Sequence, residues 1–140
     1  LFAIDDGDLV YDGENEKFRF FLNQIKHLNK PLLTVFGNHE AREKGRAVYY
    51  DLFGKFYYSY SIGNSYFIIL DDANEKNLDN EQFAWLEKEL EISQKYQNRF
   101  VFMHVPLYDP RKGDYKEGHS LENLNFVKKL NNLFDKNNVT

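Results

Sequence analysis

The segment LLTVFGNHE, residues 32–40, decides the fold. Its first five residues form an apolar run that predicts a buried strand. The tetrapeptide at 37–40 then marks the point where this strand ends and the chain turns, and Gly37 permits backbone conformations that other residues avoid. Asn38 and His39 place an amide oxygen and an imidazole at the sheet edge. Gly-Asn is also ordinary turn chemistry, so the segment by itself leaves a plain turn as an alternative.

Two further apolar runs end in polar residues of the same kind. Residues 1–4 precede Asp8, and residues 100–103 precede His104. In an α/β protein the carboxyl ends of parallel strands meet at one edge of the sheet. We therefore expect these side chains to lie beside the Asn–His pair. Carboxylate, amide oxygen and imidazole together suit a borderline divalent metal ion.

This pattern resembles the calcineurin-like metallophosphoesterases, and the resemblance covers essentially the whole chain. The family signature is, in order, Asp-x-His, Gly-Asp, Gly-Asn-His-Asp/Glu, a lone His after a strand, and Gly-His-x-His. The second, third and fourth blocks are present at 7–8, at 37–40 and at His104. The first and last blocks are absent from these 140 residues. The chain also opens inside a predicted strand without Met, so we interpret it as part of a longer protein.

The resemblance implies an α/β fold with mixed β-sheets, forming a two-sheet sandwich that is flanked by helices and truncated at both ends. Residues 1–140 would be a single partial phosphoesterase domain. Apolar periodicity and turn signals predict strands, a hairpin around Gly63-Asn64, and helices. The predicted strands cover 1–5, 32–36, 56–62, 65–70 and 99–103. The predicted helices cover 15–29, 79–96 and 121–135, and a further short helix follows the charged stretch 42–46 and ends before Gly54.

The resemblance also implies the metal ligands. Asp8 would bridge two divalent ions, and Asn38 and His104 would bind one of them. Manganese, iron or zinc suits this donor set. The two absent blocks would supply the remaining ligands, so the chain carries only Asp8 for the second ion.

Four more residues are candidates for other roles. The family's histidine at the position of His39 faces the leaving group, and Glu40 would accept its other ring N–H. Arg42 either contacts phosphate or is an ordinary surface arginine. His119 lies in a long polar segment, residues 105–120, and is either near the substrate or solvated.

Composition and charge exclude several classes of protein. The net charge is −4 and the acidic and basic residues are interspersed, so no nucleic-acid-binding patch is expected. No apolar run is long enough for a membrane segment in this piece. The chain has no cysteine and therefore no thiolate metal site. Compartment and oligomeric state stay open.

The sequence thus predicts a metal-dependent phosphoesterase in the complete protein, which would hydrolyse a phosphate mono- or diester with a hydroxide activated by two metal ions. The piece itself would be poorly active. The alternative is a non-catalytic binding or scaffold domain on the same fold. The joint presence of the five motif residues at positions 8, 38, 39, 40 and 104 favours the enzyme. A serine hydrolase is excluded because no Gly-x-Ser-x-Gly occurs.

Overall fold

A computed structural model describes residues 1–110 and 119–140. Strands and helices alternate through most of the chain, which confirms the predicted α/β class. No helix in the described part is both long and apolar enough to cross a membrane. In chain order the elements are β1 (Ala3–Asp5), α1 (Asn15–Ile25), β2 (Leu32–Thr34), α2 (Gly45–Phe53), β3 (Tyr58–Ile62), β4 (Ser65–Ile69), α3 (Asn80–Ser93), β5 (Asn98–Phe102) and α4 (Leu124–Lys136).

The strands form two separate sheets. β1 and β2 pair in parallel as a two-stranded sheet. The second sheet has the order β3-β4-β5, with β3 and β4 antiparallel around the predicted Gly63-Asn64 hairpin and β4 and β5 parallel. Mixed sheets are thereby confirmed. The expectation that β1, β2 and β5 share one sheet edge is wrong, because β5 pairs with β4 in the other sheet.

Aromatic contacts connect the two sheets. The ring of Phe2, just before β1, lies 5.8 Å from the ring of Tyr60 and 5.5 Å from that of Phe67, in edge contact with both. The Tyr58 hydroxyl donates a hydrogen bond to the Thr34 carbonyl oxygen at 3.1 Å. The sheets therefore meet through rings and one tyrosine hydroxyl on this face.

The other face of the second sheet packs against α3 and α4. Ile68 of β4 is fully buried among Leu86 and Leu90 of α3 and Leu130 of α4. A second cluster lies beside the two-stranded sheet and centres on Phe18, Phe36 and Tyr49. Each cluster buries a continuous apolar surface, which is the main stabilising contribution to folding.

Two helix starts show how local hydrogen bonds set element boundaries. Asp79, the first residue of the predicted helix 79–96, caps α3 and accepts a hydrogen bond from the Gln82 backbone at 2.7 Å. The last helix begins later than the predicted start at residue 121. Asn123 accepts from the Phe126 backbone at 3.1 Å and starts α4 there. Of the long polar segment predicted at 105–120, residues 111–118 lie outside the described part.

Candidate active site

Asp8, in the loop that follows β1, has an unusual backbone conformation. Its φ is 57°, in the left-handed region, where Asp and Asn are more common than other non-glycine residues. Its Oδ1 accepts a hydrogen bond from the His39 backbone N–H at 3.1 Å. This contact fixes the carboxylate against the turn at 37–40, as predicted from the sequence.

His104 comes from the other sheet and completes the cluster. Its Nε2 lies 3.2 Å from Asp8 Oδ1 and 3.1 Å from Asn38 Oδ1. Its Nδ1 lies 2.7 Å from the Asp6 carbonyl oxygen. The three predicted ligands therefore come together although their strands belong to two sheets. Their role as metal ligands stays a prediction.

The chemistry of this donor set fits a divalent ion. A neutral His104 that donates Nδ1–H to Asp6 presents the lone pair of Nε2 to Asp8 and Asn38. The lone pairs of His104 Nε2, Asp8 Oδ1 and Asn38 Oδ1 then face one another, and a cation bound between these three atoms would offset their electrostatic repulsion. Within residues 1–110 and 119–140, no three His, Cys, Asp or Glu side chains are arranged to hold a metal. The third donor here is an amide oxygen, from Asn38.

Glu40 does not have the predicted contact with the His39 ring. The carboxylate is fully buried, and its Oε2 accepts from the backbone N–H groups of Asp8 and Gly37, both at 2.9 Å. Its Oε1 accepts from the Val10 backbone at 2.9 Å. These donors occupy both oxygens, which is the reason that the expectation is wrong. Burial raises the pKa of Glu40, and the three N–H groups oppose that effect.

A glycine is needed at position 37 because no side chain fits there. The unusual backbone conformation expected for Gly37 is absent, since its φ is not positive. A Cβ at Gly37 would lie 2.5 Å from both the backbone N and Oδ1 of Asp8, and 2.6 Å from Glu40 Oε2. Only a residue without a side chain lets these groups approach so closely.

The His39 ring is held by Tyr11, from the loop after β1, and by Arg42 of its own loop. Its Nδ1 lies 2.5 Å from the Tyr11 carbonyl oxygen, and its Nε2 lies 3.1 Å from Arg42 Nη2. Because a guanidinium only donates, Nε2 accepts and Nδ1–H donates to Tyr11. The Tyr11 ring also contacts the imidazole, with a centroid separation of 5.3 Å.

A cleft of about 1070 Å³ opens above these residues. It contains all the predicted site residues apart from the buried Glu40. His119 lines the cleft, and its backbone N–H donates to Asp109 Oδ2 at 3.1 Å. The predicted residues that line it are Asp8, Asn38, His39, Arg42, His104 and His119.

Sequence reasoning missed Asp72. This fully buried carboxylate accepts from the His104 backbone N–H at 3.0 Å and from that of Val105 at 2.9 Å. Burial raises the pKa of Asp72 to about 7, although both N–H groups favour the charged form. The signal was present, because Asp72 follows an apolar strand, β4, much as Asp8 follows β1.

Fold and site together define the class as an α/β protein with a candidate metal centre beyond its strand ends. The chain belongs to the calcineurin-like phosphoesterase family, whose model matches residues 1–139. The members of this family are phosphoesterase hydrolases.

Individual relatives agree with this assignment. A probable cyclic nucleotide phosphodiesterase of Xenorhabdus bovienii (strain SS-2004) is 27% identical over 108 residues. That match covers 72% of this chain but only 43% of the relative, so the chain spans less than half the length of that curated protein.

Two solved structures share the fold. Purple acid phosphatase PPD1 from yellow lupin (Lupinus luteus) seeds aligns with 99% of this chain and 29% of its own, at a TM-score of 0.78 and 24% identity. A dimetal phosphatase from Danio rerio aligns with 96% of this chain and 62% of its own, at a TM-score of 0.71 and 14% identity.

Proposed function

We propose that these residues form part of a metal-dependent phosphoesterase centre that hydrolyses a phosphate mono- or diester. The observation that carries the proposal is the convergence of Asp8, Asn38 and His104, with His104 Nε2 within 3.2 Å of both oxygens. These atoms come from both sheets, and neither sheet provides the set by itself.

Asp8, Asn38 and His104 would hold one divalent ion, and the Asp8 carboxylate would also help to hold a second. Manganese, iron and zinc are the candidates for this mixed oxygen and nitrogen set. When bound, such ions stabilise phosphoryl oxygens and lower the pKa of a coordinated water. The Asp6 backbone carbonyl oxygen would accept a hydrogen bond from His104 Nδ1–H, so that Nε2 stays available as a ligand.

His39 and Arg42 would act on the phosphate ester itself. The Tyr11 carbonyl oxygen fixes the orientation of the His39 ring through Nδ1. Once Arg42 turns to a phosphate oxygen, His39 Nε2 would take a proton from solvent and then donate it to the leaving-group oxygen, while Nδ1–H stays on the Tyr11 carbonyl oxygen. General acid catalysis of this kind contributes roughly 10²–10⁴-fold. His119, which lines the same cleft, is a candidate for substrate contact.

Metal stoichiometry tests the proposal most directly. After equilibrium dialysis against Mn²⁺, elemental analysis should find bound metal in the unchanged chain and little in Asn38→Ala. Asn131→Ala, at an exposed position of α4, is the matched control and should bind like the unchanged chain. Absence of metal from a chain shown to be folded by circular dichroism would contradict the proposed centre.

Hydrolysis is the second measurement. The chain supplies three donors to one ion but only Asp8 to the other, so we expect slow turnover of bis(p-nitrophenyl) phosphate and p-nitrophenyl phosphate. The diester is included because one relative is named a phosphodiesterase. His39→Asn should reduce the rate without reducing bound Mn²⁺. Metal binding without any hydrolysis, in the chain and in a longer form with the remaining motifs, would favour the non-catalytic alternative.

A further inference from the structure

Asp72 is a fully buried carboxylate that none of the motif residues explains. It lies two residues beyond Leu70, whose backbone N–H donates to the Phe102 carbonyl oxygen at 2.9 Å. That bond is the last main-chain bond between the two chain segments that extend from β4 and β5. Beyond it, the Asp72 side chain takes over as acceptor for the segment that follows β5.

The two Asp72 oxygens act on consecutive residues. Oδ1 accepts from the His104 N–H at 3.0 Å, and Oδ2 accepts from the Val105 N–H at 2.9 Å. A carboxylate that binds two neighbouring N–H groups fixes both the position and the direction of the peptide between them. Because Val105 and Asp72 are both buried, the bond between the Val105 N–H and Asp72 Oδ2 is shielded from competing water.

His104 is therefore fixed at two points. Asp72 holds its backbone, and the Asp6 carbonyl oxygen holds its ring at Nδ1. With both points fixed, Nε2 has one direction available, toward Asp8 and Asn38. Groups that orient a metal ligand in this way typically change metal affinity when they are removed.

We propose that Asp72 is a positioning residue for the metal centre, and that it aligns His104 Nε2 with Asp8 and Asn38 from the opposite end of the residue. This inference rests on the proposed function, because it assigns a role toward the ion that those side chains would bind. Asp72 is fully buried and is not among the described residues that line the cleft, so it would contact neither the ion nor the substrate.

The test compares two neighbouring carboxylates. Asp72→Asn keeps the shape of the side chain but turns an N–H donor of the amide against one of the two backbone N–H groups. Asp71→Asn removes the same charge one residue earlier, where the carboxylate pairs with Arg46 at 2.7 Å and does not contact His104. Mn²⁺ titration calorimetry should show affinity weakened roughly 10–100-fold in Asp72→Asn and unchanged in Asp71→Asn.

A structural role without positioning is separated by two further readouts. In the Co²⁺-loaded protein, the d–d absorption should lose intensity or shift in Asp72→Asn and stay constant in Asp71→Asn, since it reports on the ligand geometry. Asp72→Glu keeps the charge but displaces the oxygens by one methylene, so it should also weaken Mn²⁺ binding. It replaces Asp72→Asn in the comparison if that variant does not fold.

The outcomes separate the two proposals. Equal Mn²⁺ affinity in the unchanged chain and in a folded Asp72 variant would overturn the positioning role and leave the metal centre standing. Absence of Mn²⁺ binding in the unchanged chain would overturn both. Amide hydrogen exchange gives a metal-free check. The N–H groups of His104 and Val105 should be protected in the unchanged chain, and exchange as fast as exposed amides would overturn the role of Asp72.

Discussion

The two sheets differ in length and in what they contribute to the site. β1 and β2 have three residues each, whereas the strands of the second sheet have five. Yet Asp8, Asn38, His39 and Arg42 all follow the short strands, and His104 alone of the motif residues follows a long one. The sheet with the shorter strands is therefore followed by more of the candidate site residues than the sheet with the longer strands.

Glu40 explains how the short sheet supports so much of the site. Its three hydrogen bonds to backbone N–H groups continue the order of the strands into the loops that follow them. The longer sheet obtains the same result with a single carboxylate, Asp72, and two such bonds. In both sheets, a buried acidic side chain holds the following loops in place where main-chain pairing has ended.

The largest effect is expected for Glu40→Gln, which disturbs the loops that follow the short sheet. An amide there turns a donor against backbone N–H groups and leaves at least one of them unsatisfied. We expect the free energy of unfolding to fall by roughly 2–5 kcal/mol, measured by urea denaturation. Mn²⁺ binding should weaken as well, because the loop from Asp8 to Val10 loses at least one of its two hydrogen bonds to this side chain or the turn at Gly37 loses its own.

Glu87→Gln, at an exposed position of α3, is the control and should leave both quantities unchanged. A Glu40→Gln protein with ordinary stability and full metal affinity would show that the short strands hold the loops without help.

Leu90→Ala tests the long sheet through its core. Leu90 is fully buried in the cluster with Leu86 and Leu130, and its truncation should reduce the free energy of unfolding by about 3 kcal/mol. The site lies outside this cluster, so Mn²⁺ affinity of the folded fraction should not change. Leu28→Ala, at a position 44% exposed, is the control. Loss of metal affinity in folded Leu90→Ala would mean that the two regions are energetically coupled.

Tyr58→Phe tests the contact between the sheets. Its hydroxyl donates to the Thr34 carbonyl oxygen, which also accepts from Tyr49 at 3.2 Å. Since the carbonyl keeps one partner, removal of the hydroxyl should cost about 1 kcal/mol in thermal or urea unfolding. Tyr50→Phe, at an exposed position, should cost nothing. A loss as large as that for Glu40→Gln would identify this hydroxyl as the principal connection between the sheets.

The smallest effect is expected for Asp71→Asn. Asp71 pairs with Arg46 of α2 and so joins the two regions at the surface, where Arg46 is 46% exposed. Such pairs contribute about 0.5 kcal/mol at low salt, and the difference from the unchanged chain should vanish near ~1 M NaCl through screening. A salt-independent loss would point to the hydrogen bond that the Asp71 carboxylate accepts from the Ala73 backbone N–H at 3.3 Å, instead of the ion pair.

Periodicity and turn chemistry predicted most of the elements because their signals are local. The Gly63-Asn64 hairpin and the Asp79 cap are determined by residues within a few positions of each other. Family motifs likewise predicted which polar residues follow the strands. The meeting of Asp8 with His104 was expected for a wrong reason, since the two strands belong to different sheets.

The roles of Glu40 and Asp72 could not be read from the sequence for a physical reason. Each carboxylate binds backbone N–H groups about thirty positions away along the chain, and every residue type except proline offers that donor. A side chain that binds only backbone N–H groups does not require any particular residue type in its partner, so the partner's sequence does not indicate the contact. Glu40 was therefore paired with the adjacent imidazole, and Asp72 was overlooked.

The left-handed backbone at Asp8 limits how this site can change over evolution. A longer acid, glutamate, would preserve the charge but lacks the short side chain that makes a φ of 57° tolerable. Asparagine and glycine suit that backbone, yet each removes the negative charge. No single exchange keeps both conformation and charge. On the proposed function, any single replacement of Asp8 would therefore remove either the charge offered to a metal ion or the residue type that tolerates this backbone conformation.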